Sequence, residues 1–416
     1  MALVVTKFGG TSVGSTDRIR AVADRLIRIQ DQGNQVVAVV SAMGHMTDEL
    51  IALAEQISPE PPERELDMLL ATGEQVSIAL LAMAIEARGR RAVSFTGPQV
   101  GIVTDGVHSK AKIVAVEADC VRDAIEQGQI VIVAGFQGTT PDGAITTLGR
   151  GGSDTTAVAI AAGIDADVCD IYTDVDGVYS ADPRIVSRAR KISRISYEEM
   201  LEMAASGAGV LGMRSVEFAR NHGVVIHCRS SFSDEPGTIV KEEDGSMEGA
   251  IVSGVTHDTS EAKITMRGVP DKPGVAAEVF SALAAENINV DMIIQNISEQ
   301  GTTDISFTAP KTDMPRARKV IDAVAASIGA RTWLVDEEIA KVSIVGAGMR
   351  TNPGVTARMF KTLADAGVNI DLISTSPIRL SVVIAAAQVE PAVRALHTAF
   401  GLDEEDVEAV TSPAAS

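Results

Sequence analysis

Two glycine turns carry the residues best suited to chemistry in this 416-residue sequence. One is Gly149-Arg150-Gly151-Gly152, followed at once by Ser153 and Asp154. Those two are helix-capping types, and the alanine-rich run Thr156–Ala162 beyond them reads as helix. Glycine lets a backbone approach a ligand closely, and a helix start offers unpaired N–H groups with partial positive charge, so the turn is suited to an anion. Arg150 adds a planar fork that fits a carboxylate or a phosphate. The other turn, Gly9-Gly10-Thr11-Ser12, ends the apolar run Ala2–Phe8, with Lys7 beside it. A lysine there can simply extend its head to solvent, or it can bridge the oxygens of a transferring phosphoryl group. Two such turns, each with a cation, point to a two-ended anion site.

The elements around these turns must hold them. Ala2–Phe8, Gln35–Val40, Ala92–Thr96, Gln129–Ala134, Asp167–Thr173 and Val224–Arg229 read as buried strands. Between them lie helical patterns: one capped by Thr16 or Asp17 with Gly33 as its stop, others at Val121–Glu126, Tyr197–Ala205 and Ser215–Asn221. The helical stretch Glu65–Arg88 is interrupted at Thr72-Gly73-Glu74, which is either a substrate contact or a boundary between two helices. Strands alternating with helices imply a mostly parallel sheet covered on both faces. In such sheets ligands bind beyond the carboxyl ends of the strands, where the polar loop Thr173–Arg184 lies.

Other chemistries are absent. Gly207-Ala-Gly209-Val-Leu-Gly212 matches a dinucleotide fingerprint, but a helical pattern and not a strand precedes it. There is no Walker A sequence and no HExxH, and Cys120, Cys169 and Cys228 form no CxxC pair. They read as small buried hydrophobes. A net charge of −20 argues against nucleic acid and anionic membrane as partners. No apolar stretch reads as long enough to span a bilayer, and MALVVTKFGG lacks the pattern of a signal peptide, so a cytoplasmic setting is expected.

After a polar, weakly patterned stretch, Lys241–Ala262, comes an internal repeat. Pro273–Ile293 and Pro353–Ile373 share ten of 21 positions, among them Asn289/Asn369 and Asp291/Asp371. Each copy reads as strand, glycine/proline turn, helix, two strands and a second helix. At roughly 75 residues, neither is large enough for a sizeable enzyme domain.

Lys7-Phe-Gly-Gly-Thr-Ser, Ser41-Ala-Met-Gly, Thr72-Gly-Glu74, Phe95-Thr-Gly97, Thr147–Asp154 and Thr173–Arg184 closely resemble the motifs of the aspartate kinases. The repeat resembles their paired ACT domains, and the likeness covers essentially the whole chain, most of all the lysine- and threonine-regulated bacterial type. It implies an amino-acid kinase domain over 1–245, a linker over 246–262, and two ferredoxin-like ACT domains over 263–337 and 338–416. It also implies transfer of a phosphoryl group from ATP, with Mg2+, to the side-chain carboxylate of L-aspartate, the first step toward lysine, threonine and methionine. By this likeness Lys7 and Asp154 are catalytic. Lys7, Phe8, Gly9, Gly10, Thr173, Asp174, Tyr179, Asp182 and Arg184 would hold ATP. Ser41, Thr47, Glu74, Arg150, Gly151, Gly152 and Ser153 would hold aspartate, with Glu74 at its ammonium and Arg150 at a carboxylate; metal ligands are unknown. Asp271, Gly274, Ala276 and Gln295 in the first copy, and Thr356, Asn369, Ile370 and Ser376 in the second, would meet lysine and threonine as effectors. The chain is expected to form a homo-oligomer or to join an ACT-only subunit starting near Met247.

The acceptor carboxylate, with a pKa of about 3.9, is already ionised at neutral pH, so the absence of a catalytic histidine is no objection. One position departs from the family: Gly209 stands where a lysine usually reaches the ATP phosphates, and Arg214 or Arg184 is the candidate substitute. Two rivals stay open, an amino-acid sensor without catalysis and another acyl-phosphate kinase of the same fold, such as an N-acetylglutamate kinase.

Overall fold

The computed structural model describes residues 1–243, 251–296 and 301–403, in two compact units. The first comprises Met1–Val178, Lys191–Ala205 and Gly209–Glu248. Its centre is an eight-stranded sheet in the order Arg194–Ser196, Thr238–Lys241, Ile226–Ser230, Val168–Thr173, Leu3–Phe8, Gln35–Val40, Ile130–Ala134 and Ala92–Phe95. All neighbours run parallel except Ile226–Ser230 against Thr238–Lys241. The central strands are apolar because both of their faces are covered. Val36, Ala38 and Val40 pack with Ile19, Leu26, Ile78 and Leu81 of helices Thr16–Asp31 and Glu63–Glu86. Helix Gly152–Gly163 has ten buried residues.

Several boundaries differ from the sequence reading. Ser15, not Thr16 or Asp17, caps the first helix, its hydroxyl accepting from the Arg18 N–H. Glu63–Glu86 is one continuous helix. Gly73 does not break it: a Cβ there would stand 2.8 Å from the Ala42 Cβ, so the glycine serves close approach to the Ser41–Gly44 turn. By length and composition this helix could cross a bilayer, contrary to expectation. Here nine of its residues are buried, Asp67 and Glu74 among them, which is the pattern of a packed core helix. A small four-stranded sheet, Ile113–Val116, Ile102–Thr104, Gln137–Thr139 and Ile145–Thr147, was not legible as strands.

The second unit comprises Tyr179–Arg190, Ser206–Ala208 and Gly249–Ser416. It holds two four-stranded antiparallel sheets. One runs Ile293–Gln295, Thr302–Pro310, Glu261–Pro270, Thr332–Asp336; the other runs Gly254–Asp258, Ile339–Val345, Arg379–Ala385, Leu372–Thr375. Gly254–Asp258, expected in a linker, is thus the edge strand of the second repeat's sheet, and the first repeat is inserted after it. Met247 and the rest of 244–250 lie outside the described residues.

The repeats also exchange ion pairs. Lys341, 1% exposed, reaches Asp291 Oδ2 at 2.7 Å and Glu261 Oε1 at 2.9 Å, while Lys263 pairs with Asp371. The repeated aspartates therefore do more than shape a turn: each binds a lysine of the other copy. Burial presses the Lys341 pKa down, but Glu261 and Asp291 outweigh it and lift the group above its ordinary value.

Candidate active site

Within the first unit the two glycine turns come together. In strand Leu3–Phe8 successive side chains point to opposite faces. Phe8 is fully buried in a stack with Tyr172, ring centroids 4.8 Å apart. That leaves only its backbone for a nucleotide; its carbonyl already accepts the Ser41 N–H. Lys7 points the other way, and its Nζ stands 2.6 Å from Asp154 Oδ1, both side chains about nine-tenths buried. A Cβ on Gly9 would lie 3.3 Å from that Nζ, and one on Gly10 would lie 3.0 Å from the Ala42 carbonyl. The turn therefore packs tightly on the lysine head and on the Ser41–Gly44 turn.

Gly149 and Gly151 adopt φ of +74° and +70°, a region that favours glycine, and Gly151 is the N-cap of helix Gly152–Gly163. Ser153 and Asp154 are not the caps their types suggested. They occupy the first helical turn and direct their side chains into the site, Asp154 to Lys7 and Ser153 to the Ser41 hydroxyl at 2.9 Å. A Cβ on Gly135 would meet the Ser153 hydroxyl at 2.7 Å, so a third glycine seats this turn.

Glu74, 3% exposed, accepts the Ala42 N–H through Oε1 at 3.0 Å. Its Oε2 is buried without a hydrogen-bond partner. Burial raises its pKa from the ordinary 4.5 to about 7, with the Ala42 N–H opposing in part. A half-charged carboxylate with one unmet oxygen is an acceptor prepared for a cation. Arg150 is exposed, Thr47 lies in the first turn of helix Met46–Ile57, and Thr173 ends its strand with its hydroxyl on Asp174 Oδ1 at 3.1 Å.

Tyr179, Asp182 and Arg184 fold as part of the second unit, where Arg184 forks onto Asp182, 2.7 Å at its shortest. That guanidinium holds the Asp182 carboxyl below its usual range. The candidate substitutes for a lysine at 209 are thus engaged. Arg184 serves Asp182, and Arg214 donates to the Leu148 carbonyl and, at 2.8 Å, to the Ala111 carbonyl, strapping the Gly149 turn. Gly209 itself has no positive φ, and a Cβ there would meet nothing within 4 Å.

A buried network behind the turn escaped the sequence reading. Asp67, fully buried, binds His108 Nδ1 at 2.7 Å, accepts the Ser109 N–H at 3.1 Å and takes the Thr147 hydroxyl at 2.6 Å. A Cβ on Gly149 would come within 3.0 Å of the Ser109 carbonyl, so this network abuts the turn. A lone carboxylate on an apolar helical stripe was the available signal.

The second unit has a cavity of 370 Å³ lined by Asp271, Gly274, Ala276 and Gln295 together with Thr303 and Ile305. All four first-copy effector candidates are there. In the second copy Thr356 and Asn369 are exposed, Ile370 packs on the core, and the Ser376 N–H donates to the Arg379 carbonyl.

The model of the amino acid kinase family matches residues 2–230, and the ACT domain model matches 264–324 and 342–400. Over 411 residues the chain is 58% identical to the aspartokinase of Mycolicibacterium smegmatis, covering 98% of each chain. The chain belongs to the aspartokinase family. The Corynebacterium glutamicum aspartokinase is 53% identical over 98% of each chain. Among solved structures, E. coli aspartokinase III in complex with aspartate and ADP is 27% identical with a TM-score of 0.82, over 95% of this chain and 99% of that one. The same enzyme with lysine and aspartate gives 0.75 at 26% identity, over the same shares of the two chains. The aspartokinase reading therefore stands over its rivals, and Gly209 has not taken the chain out of the family.

Proposed function

We propose the following division of labour for ATP-dependent phosphorylation of the L-aspartate side chain. Lys7, oriented by Asp154, and the backbone of Gly9 and Gly10 neutralise charge on the transferring phosphoryl group. Glu74 receives the aspartate ammonium on Oε2, Arg150 takes a carboxylate, and Ser41, Thr47 and the Gly151–Ser153 helix start align the acceptor. Thr173, Asp174, Tyr179, Asp182 and Arg184 hold the nucleotide. No group of three or more His, Cys, Asp or Glu converges among the described residues. Mg2+ would therefore come bound to the nucleotide's phosphates, with water and phosphate oxygens as most of its ligands. The observation that carries this reading is the unpartnered, buried Glu74 oxygen in the same unit as the Lys7–Asp154 pair.

Lysine and threonine are proposed as effectors, one in the cavity at Asp271 and Gln295, one at the matching turn around Asn369. Effector control requires a state that the ligand prefers, which pairing of ACT domains between chains in a homo-oligomer, or with a separate ACT subunit, would supply. A cytoplasmic setting accords with free Cys169 and Cys228.

Trapping of the acyl phosphate with hydroxylamine tests this, with L-aspartate, L-glutamate and N-acetyl-L-glutamate offered in turn, with and without lysine plus threonine. Turnover of aspartate alone, falling with the effectors, is expected. Turnover of N-acetyl-L-glutamate in preference to aspartate would overturn the roles given to Glu74 and Arg150.

A further inference from the structure

The segment Tyr179–Arg190 lies in sequence inside the kinase domain but is built into the second repeat. Ala181 and Val186 are buried in one core with Val389, Val393 and Leu396 of helix Val389–Ala399. Polar contacts fix its path: the Ser180 carbonyl accepts the Val255 N–H at 2.7 Å, and Arg394 Nε donates to the Ile185 carbonyl at 2.9 Å. One of these contacts stands apart because both of its ends are fully used. His397 is completely buried, with Nε2 2.8 Å from the Ser180 hydroxyl and Nδ1 2.8 Å from Asp403 Oδ1. Asp403 takes the Thr398 hydroxyl on its other oxygen at 2.6 Å, and the Ser180 hydroxyl accepts the Arg190 N–H at 2.8 Å. Asp403 as acceptor fixes the proton on Nδ1, which leaves Nε2 to receive the Ser180 O–H and the Ser180 oxygen to receive Arg190.

The two ends of the twelve-residue loop are therefore tied to one another and, through a single imidazole, to the last helix of the second repeat. Between those ends lie Asp182 and Arg184. A second kinase segment, Ser206–Ala208, belongs to the same unit and packs closely there: Gly207 adopts φ +104°, and a Cβ there would stand 2.0 Å from the His257 carbonyl. It leads directly into Gly209. In a packed core, a buried hydrogen-bonded chain has few alternative arrangements, so movement of the helix moves the loop.

We infer that His397 is a positioning residue for the nucleotide, holding the loop Tyr179–Arg190 through Ser180 so that the second regulatory repeat sets the affinity for ATP. This rests on the reading of Asp182 and Arg184 as nucleotide contacts. The aspartate candidates Ser41, Glu74 and Ser153 all belong to the first unit, so the effect separates by substrate.

The test is steady-state kinetics of the full chain with MgATP and aspartate varied independently, for Ser180→Ala, His397→Asn and His397→Gln. Asparagine places its amide where Nδ1 stands, keeping Asp403 and losing Ser180; glutamine reaches the Nε2 position. KM for ATP should rise about tenfold in Ser180→Ala and His397→Asn, as expected for loss of one buried hydrogen bond. KM for aspartate should stay within about twofold, and the double variant should be no worse than either single one because both remove the same bond. His397→Gln should recover most of the ATP affinity. Equal losses for both substrates, additive single effects, or an unchanged KM for ATP would each overturn the inference. Asp182→Ala distinguishes the two levels. If it raises KM for ATP while His397→Asn does not, only the role of His397 fails; if neither does, the nucleotide reading of the loop fails with it.

Discussion

Glu74 offers the sharpest perturbation, because the property that suits it to bind an ammonium also destabilises the folded chain. Its carboxyl titrates near 7 in the fold against 4.5 ordinarily, a difference of about 2.5. Above its unfolded pKa the unfolded chain has released this proton while the native one keeps it. The native state therefore binds more protons between 4.5 and 7, and stability falls as pH rises through that window. At about 1.36 kcal/mol for each pKa unit the loss reaches about 3 kcal/mol and is complete above pH 7. Glu74→Gln keeps an oxygen for the Ala42 N–H but carries no charge, so it should be more stable than the parent at pH 8. The advantage should shrink to near zero below pH 4.5, as read by urea unfolding across pH. Catalysis should move oppositely. Only ionised Glu74 attracts the ammonium, so kcat/KM for aspartate should fall about tenfold from pH 8 to pH 6 in the parent. In Glu74→Gln it should be lower by about 10–100-fold at pH 8 and lack this dependence. A stability difference that stays constant from pH 4 to 8 would refute the argument, as would the same pH profile in both proteins.

Three further outcomes follow from the geometry. Gly209→Lys fits without steric cost and should raise kcat/KM for ATP by about tenfold or more through one charge-assisted phosphate contact; no gain would mean that the phosphates do not pass this position. Arg214→Met frees the carbonyls of Leu148 and Ala111 and should lower kcat at least tenfold with loss of aspartate affinity; unchanged kinetics would show that the Gly149 turn holds itself. Lys341→Met leaves Glu261 and Asp291 facing each other without a cation and should lower stability by on the order of 3 kcal/mol, with most recovered on adding Glu261→Gln and Asp291→Asn; a lone variant as stable as the parent would show that the pair contributes nothing.

What could be read from sequence was local. A strand ending in Lys7-Phe-Gly-Gly, or a turn running into Ser153-Asp154, carries its own geometry, because glycine conformation and helix starts are decided within a few residues. Those motifs carried the parallel sheet and the two glycine turns that meet in the first unit. The small sheet from Ile102 to Thr147 escaped because strands of three or four residues give periodicity too little length to show. Gly73 was misread for a different reason. Its helical cost is visible in the sequence, whereas the Ala42 methyl that excludes a side chain is 31 residues away.

The remaining misses share one cause, which is that ownership of a segment by a folded unit need not follow chain order. Gly254–Asp258 looked like linker because five residues with polar neighbours carry little apolar signal. Its stability comes from pairing with Ile339–Val345, some 85 residues on. The loop Tyr179–Arg190 looked like a nucleotide loop by its motif, and nothing in that motif announces Leu396 or His397 as its support. The repeated aspartates showed as a repeat, but their exchange of lysine partners requires two copies facing each other. In each case the deciding contact spans at least 50 residues and involves side chains ordinary for their local element. A regulatory domain that builds catalytic-domain loops into its own core leaves little trace in either sequence alone. Its clearest trace is energetic: variants of helix Val389–Ala399 should act on ATP before they act on aspartate.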